Sequence, residues 1–189
     1  ASILKMSREL SLFFDEVSEN VNFDFSILKP FFNNLYINLD LEKEIYLKIV
    51  DENTIDDRAS DALYSIRKSK KSLEQNIKYK LNHFIHSNTY SKYLMEPIVT
   101  IRDNRYVIPV KDEYRSQISG FVHDISSSGS TVFIEPTSIF DMNNEINTLK
   151  IKENIEIEKI LGLLTNKLSA YTSELENNVR LLGIIDLIF

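Results

Sequence analysis

His123, Asp124 and Ser126 are the residues of this chain whose types and closeness most suggest acid–base or nucleophilic chemistry. A base must reach the proton it removes, and here the local pattern works against that. The run Gly120-Phe121-Val122-His123-Asp124-Ile125 reads as a strand, and neighbours on a strand point to opposite faces. His123 and Asp124 are therefore expected to be strand residues beside a hairpin tip; the rival reading is a nuclease or hydrolase built on them. His83 and His86, one helical turn apart, have the spacing of a metal-binding pair. No carboxylate or thiol stands near them in the sequence to complete a site, so they read as surface histidines. The four glycines, Gly120, Gly129, Gly162 and Gly183, never take the arrangement before Lys-Ser or Lys-Thr that cradles a nucleotide phosphate. The chain is expected to have no catalytic residue, no metal, no cofactor and no ATP hydrolysis of its own.

A second set of residues suits contact with phosphate. Arg102, Arg105, Lys111 and Arg115 fall close together with Tyr106 and Tyr114 among them. Ser126, Ser127, Ser128 and Ser130 make a hydroxyl-rich loop around Gly129. Cationic and hydroxyl donors on a rigid support are what binds a nucleic-acid backbone. The competing reading is surface charge paired with Asp103, Asp112 and Glu113. These four cations and four serines are the candidate nucleic-acid contacts.

The elements that must carry them are legible from periodicity. The stretch from Arg102 to Glu145 is the one place that reads as β structure. Ile98-Val99-Thr100-Ile101, Tyr106-Val107-Ile108, Gly120 to Ile125 and Thr131-Val132-Phe133-Ile134 are β-branched and aromatic. Asp103-Asn104 suits a turn, Gly129 suits a hairpin loop, and Pro109 points to an edge position. Before this stretch, Ser60 is a good N-cap for a helix from Asp61 to about Asn88. Its apolar positions, Leu63, Ile66, Leu73, Ile77, Leu81 and Phe84, keep near a heptad rhythm that Lys70 interrupts. After it, a helical pattern runs from Ser138 to at least Leu182. Its stripe weakens around Glu153 in a way that reads as a stutter. Short helices precede Val50: Leu10, Phe13, Phe14 and Val17 on one, and Leu28, Phe31, Phe32 and Leu35 on a second that Ser26 could cap. Leu41, Ile45 and Leu47 to Val50 make a third element. The expected fold is α+β and mostly α: a long antiparallel, coiled-coil-like helical lever carrying a small β-rich head. Its parts are core helices over 1–57, an outgoing helix over 58–96, the head over 97–137, and a returning helix over 138–189.

Composition narrows the function classes. A chain of 189 residues with 43% hydrophobic residues can bury a core. No cysteine is present, which excludes disulfides and fits a reducing cytoplasm. No membrane span or signal peptide is visible, so a cytoplasmic location is expected. The first residues look like mid-helix and the last stop on an apolar run, as expected of a fragment of something larger. The net charge of −6 is uneven: Arg58, Arg67, Lys68, Lys70, Lys71, Lys78, Lys80 and Lys92 outweigh Asp61 and Glu74. That basic segment is either a solvated face, a face packed on acidic parts of the chain, or a phosphate contact.

A family resemblance rests on Arg105-Tyr106-Val107-Ile108-Pro109-Val110-Lys111, Glu113-Tyr114-Arg115, Gly120, Val122-His123-Asp124, Ser126, Ser128-Gly129, Thr131, Phe133-Ile134-Glu135-Pro136 and Asn143-Asn144-Glu145. Together these resemble the signature of the MutS-two family of bacterial MutS paralogues. Asp57, Ala59-Ser60, Leu63 and Ile66-Arg67 match the start of that family's outgoing lever helix. The resemblance implies a core, lever and clamp region. The parent's P-loop ATPase domain, which binds ATP and Mg and forms the homodimer, would lie outside this sequence, as would a nuclease-like domain. It implies DNA or ribosomal RNA as partner, in suppression of recombination on branched DNA or in rescue of stalled, collided ribosomes. The alternative is a protein-interaction module that docks on ribosomal protein or partner helices without nucleic-acid contact.

Overall fold

The computed structural model describes residues 1–21 and 24–188; Phe189, the last residue of the apolar run, lies outside them. The fold is mixed α and β, mostly helical, with two small antiparallel sheets. It divides into two compact units, one of Ala1–Ser60 with the stretch from Ile157 onward, the other Asp61–Glu156.

In the first unit, helices α1 (Ser2–Asn20), α2 (Lys29–Asn33) and α6 (Thr172–Ile188) enclose a small aromatic core, and α3 (Leu39–Lys48) buries Leu41 and Ile45. Phe14 stacks on Phe32 with ring centroids 4.2 Å apart, and Leu181 and Ile185 pack with them. Of the residues expected on one face of α1, Phe14 is buried and Phe13 is 61% exposed; Leu4 and Ser7 are buried with Phe14. Pro30 lies in the first turn of α2, where its missing N–H costs nothing. The turn leading into that helix is held by Asp24, which accepts from the Ser26 N–H at 3.0 Å. Asn38 caps α3 by accepting from the Leu41 N–H. The sequence reading missed a hairpin here: β1 (Ile49–Asp51) pairs with β2 (Thr54–Ile55), and Asp51 accepts from the Asn53 N–H inside the turn.

The second unit carries the other sheet. Its strands are β3 (Thr100–Arg102), β4 (Arg105–Lys111), β5 (Gly120–Ile125) and β6 (Thr131–Pro136), in the order β3-β4-β6-β5, all antiparallel. Asp103 and Asn104 both take positive φ (47° and 62°), the tight-turn geometry that their short polar side chains tolerate. Pro109 is not on an edge strand, since β4 has neighbours on both sides. Its missing N–H nevertheless falls where β3 has ended: the Pro109 carbonyl on that side accepts from the Met95 N–H. One face of the sheet, with Tyr106, Ile108, Val110, Val132 and Ile134, packs on α4 (Asp61–Ile85) and the start of α5 (Phe140–Ser169). Ile77, Leu81, Ile85 and Ile146 are almost wholly buried there. Each such side chain stabilises the fold by about 1.5–3 kcal/mol.

The sequence reading of the two long helices needs one correction. The returning pattern is not one helix, for α5 ends at Ser169 and α6 begins at Thr172. The Ser169 hydroxyl donates to the Asn166 carbonyl and the Thr172 hydroxyl to the Ser169 carbonyl, competing with the helix ladder at the break. Around Glu153 the half-buried positions of α5 are Leu149, Lys150, Glu153, Glu156 and Ile157, so Glu153 lies within the buried stripe at the place where its apolar pattern weakens.

Candidate nucleic-acid interface

The face of the sheet turned away from α4 mixes apolar side chains such as Val107 and Phe133 with polar ones, and one acid organises the polar part. Glu135 lies in β6 between Ile134 and Pro136, and its side chain is completely buried. A carboxylate taken out of water this fully needs charged and hydrogen-bonding partners, and it has three. Arg105 on β4 donates through Nη1 to both oxygens, at 2.8 and 3.0 Å. His123 Nε2 lies 2.6 Å from Oε2, and because the acceptor is a carboxylate, that nitrogen carries the proton. Asn143 of α5 donates to Oε1 at 2.7 Å. Asn143 also accepts from the Tyr106 N–H and donates to its carbonyl, both at 3.1 Å. The register of β4 on β6 would place Tyr106 opposite Pro136, which has no N–H to offer. The Asn143 amide stands in for the missing ladder partner.

The bulge in β5 overturns the expectation that His123 and Asp124 face opposite sides. Val122 pairs with Ile134 and Asp124 with Phe133, leaving His123 as the extra residue. Asp124 is thereby turned onto the same face as Phe133 and Glu135. The two side chains still do not share a proton. His123 engages Glu135, while Asp124 accepts from Arg102 Nε at 3.0 Å. His83 is exposed and lies edge-on to Tyr79, and His86 Nδ1 bonds the Asn82 carbonyl at 2.9 Å. Among the described residues no group of three potential metal ligands forms.

The candidate contacts do not form one set. Arg105 is the clearest departure from expectation: besides its two bonds to Glu135 it donates to Asn144 at 2.5 Å, and its side chain is only 19% exposed. It belongs to the interior network rather than to a surface that meets a ligand. Arg102 stacks on the Phe133 ring, 4.1 Å from its centroid, and pairs with Asp124. Lys111, Ser128 and Ser130 line one cleft of about 490 Å³ with Met95, Asp112, Glu113 and Gly129; the Lys111 ammonium donates to the Lys92 carbonyl at 3.2 Å, and the two serine hydroxyls bond each other at 2.8 Å. Arg115 is exposed on the 3-10 turn after β4 and lines a neighbouring cleft of about 600 Å³ with Asp112 and Glu113. Ser126 accepts from the Thr131 N–H and closes the hairpin; Ser127, on its tip, is exposed. The sequence reading gave no role to Glu135, Asn143 or Asn144. The available signal was an acid inside an otherwise apolar strand, since a buried carboxylate is rarely unpaired.

No protein-family model matches the chain. Individual relatives do. Endonuclease MutS2 of Acetivibrio thermocellus is 48% identical over 164 residues, which is 87% of this chain and 21% of that protein. Endonuclease MutS2 of Clostridioides difficile is 44% identical over 172 residues, 91% of this chain and 22% of the relative. The chain belongs to the MutS2 family. The putative endonuclease MutS2 of Bacillus subtilis extends the match to the whole chain, at 40% identity over 189 residues and 24% of its own length. This MutS2 chain thus spans between a fifth and a quarter of the length of these relatives. No helix among its described residues is long and apolar enough to cross a membrane.

Proposed function

We propose that this chain is the core, lever and clamp region of a MutS2-type protein, with the head over 97–137 acting as a clamp on nucleic acid. The observation that carries the reading is the cleft lined by Lys111, Ser128 and Ser130, with Arg115 exposed beside it. An ammonium, a guanidinium and two hydroxyls supported by a paired sheet are suited to phosphate oxygens. The reaction chemistry of the parent would lie outside this chain. Movement would be driven by an ATPase domain that binds ATP and Mg and forms the homodimer. The paired helices α4 and α5 would act as the lever. The ligand would be branched DNA, in suppression of recombination, or RNA of a stalled, collided ribosome.

A second reading has its own observation. Ile98, Ile101, Phe121 and Ile125 on the head are each about half exposed, which suits a protein partner such as a ribosomal protein or a docking helix. Replacing Lys111 and Arg115 together by glutamine separates the two. Loss of nucleic-acid binding with an unchanged melting transition supports the clamp. Unchanged nucleic-acid binding in that variant removes the cleft from the interface.

A further inference from the structure

The head alone is poorly charged for a polyanion. Residues 97–137 hold four basic and five acidic side chains, a balance of −1 with His123 neutral. Residues 58–92 hold eight basic and two acidic side chains, a balance of +6 in a chain whose total is −6. A surface that attracts phosphate needs positive potential over more than one contact. The structure sorts these cations. Arg67 and Lys70 turn inward, and both bond Glu153. Lys68, Lys71 and Lys78 are exposed and make no ion pair with an acid among the described residues.

These three lysines share one face of α4 with Tyr64, Gln75 and Asn82, at steps of three, four and seven residues. Lys68 and Lys78 lie about 15 Å apart along the axis, at the rise of an α-helix. Tyr79, next to Lys78, is 72% exposed. Glu74, three residues after Lys71 and four before Lys78, is partly buried and makes no ion pair with either lysine. An ordinary solvated helix face interleaves acids with its lysines at three- and four-residue steps, because like charges at that spacing repel. Along this face Lys68, Lys71 and Lys78 follow Asp61 of the helix start with no exposed acid between them.

We infer that this face of α4 is the main phosphate-backbone contact of the second unit, with the head cleft as its secondary one. The inference rests on the nucleic-acid reading above and says where on the molecule the backbone is held. The ligand class is a nucleic-acid strand or duplex met through its phosphates, with Tyr64, Gln75 and Tyr79 adding neutral donors.

The test is fluorescence-anisotropy binding of the chain to a labelled DNA duplex and, in a second arm, to an RNA hairpin across a salt series. Lys68→Gln/Lys71→Gln/Lys78→Gln is compared with Lys68→Arg/Lys71→Arg/Lys78→Arg and with Lys111→Gln/Arg115→Gln. On duplex DNA each lost phosphate contact lowers the slope of log affinity against log salt by about 0.9. The triple glutamine variant is expected to lower it by about 2.7, the arginine variant to keep it, and the head variant to lower it by less. Because the three side chains are exposed, melting should not move. An unchanged slope in the triple glutamine variant overturns the inference and leaves the clamp reading standing. No salt-dependent binding by the unsubstituted chain to either ligand overturns both. A loss confined to one arm identifies the ligand as DNA or RNA.

Discussion

The ammonium of Lys70 donates to Oε2 of Glu153 at the point where the apolar stripe of each long helix is interrupted. Arg67 Nε donates to Oε1 of the same carboxylate at 2.7 Å. In sequence, Lys70 looks like a flaw in α4 and Glu153 like a phase slip in α5. In the fold they answer each other, with side chains 24% and 12% exposed. Such a pair contributes little net stability compared with apolar residues, but it is costly to leave half made.

Glu153→Gln is therefore expected to destabilise the chain by about 1–3 kcal/mol, since two cations lose their carboxylate. The triple change Arg67→Met/Lys70→Leu/Glu153→Leu should recover most of that loss, because it removes both cations with the carboxylate and restores both apolar stripes. Urea unfolding of the two variants checks this; a triple variant as unstable as Glu153→Gln would contradict it.

Acid should act on the same pair and on one in the first unit. Hydrogen bonding from Arg8 holds the Glu42 carboxyl below its ordinary range, against the opposing effect of burial. For Glu153 burial pushes the carboxyl up, and the bonds from Lys70 and Arg67 more than reverse it. Both groups titrate lower folded than unfolded, so unfolding takes up protons as pH falls. Their stabilisation is complete above the ordinary carboxylate range and fades as pH drops through the lowered values. Urea midpoints measured from neutral pH to pH ~3 should fall, and Arg8→Met should flatten part of that fall.

Two arginines of the head should behave in opposite ways. Arg105→Ala leaves Glu135 buried with one cationic partner fewer and is expected to cost about 3 kcal/mol. Arg115→Ala, on the surface, should stay within about 0.5 kcal/mol. Thermal melting of both distinguishes them; equal melting would mean that Arg105 is not a structural residue.

Asn143→Ala removes the amide that bonds both backbone groups of Tyr106 and an oxygen of Glu135. A loss of about 2–4 kcal/mol is expected from the buried groups left unpaired, with faster amide exchange at Tyr106. Gly120→Ala should be at least as severe. A Cβ there would meet the Glu135 carbonyl oxygen at 2.2 Å and Ile134 Cγ2 at 2.7 Å, neither of which can yield without breaking the β5–β6 pairing.

The strands of the head and the start of α4 were legible because β-branched runs and heptad spacing are local signals. The Asp103-Asn104 turn was legible because those residue types accept positive φ. What escaped was set by distant partners. The break between α5 and α6 depends on hydroxyls at Ser169 and Thr172 that also suit a helix surface. The inward turn of Arg105 depends on Glu135, thirty residues away in sequence. The bulge that carries Asp124 onto the face of Glu135 has no mark in residue type, since alternation from Gly120 to Ile125 reads as unbroken.

The central claim, that this MutS2 chain holds nucleic acid through its phosphates, is tested most directly by titrating the unsubstituted chain with branched DNA, duplex DNA and structured RNA over a salt series. The account predicts binding that weakens steeply as salt rises, with one ligand class preferred. Binding that is indifferent to salt, or no binding to any of the three, would contradict it and favour a protein partner on the half-exposed apolar residues of the head.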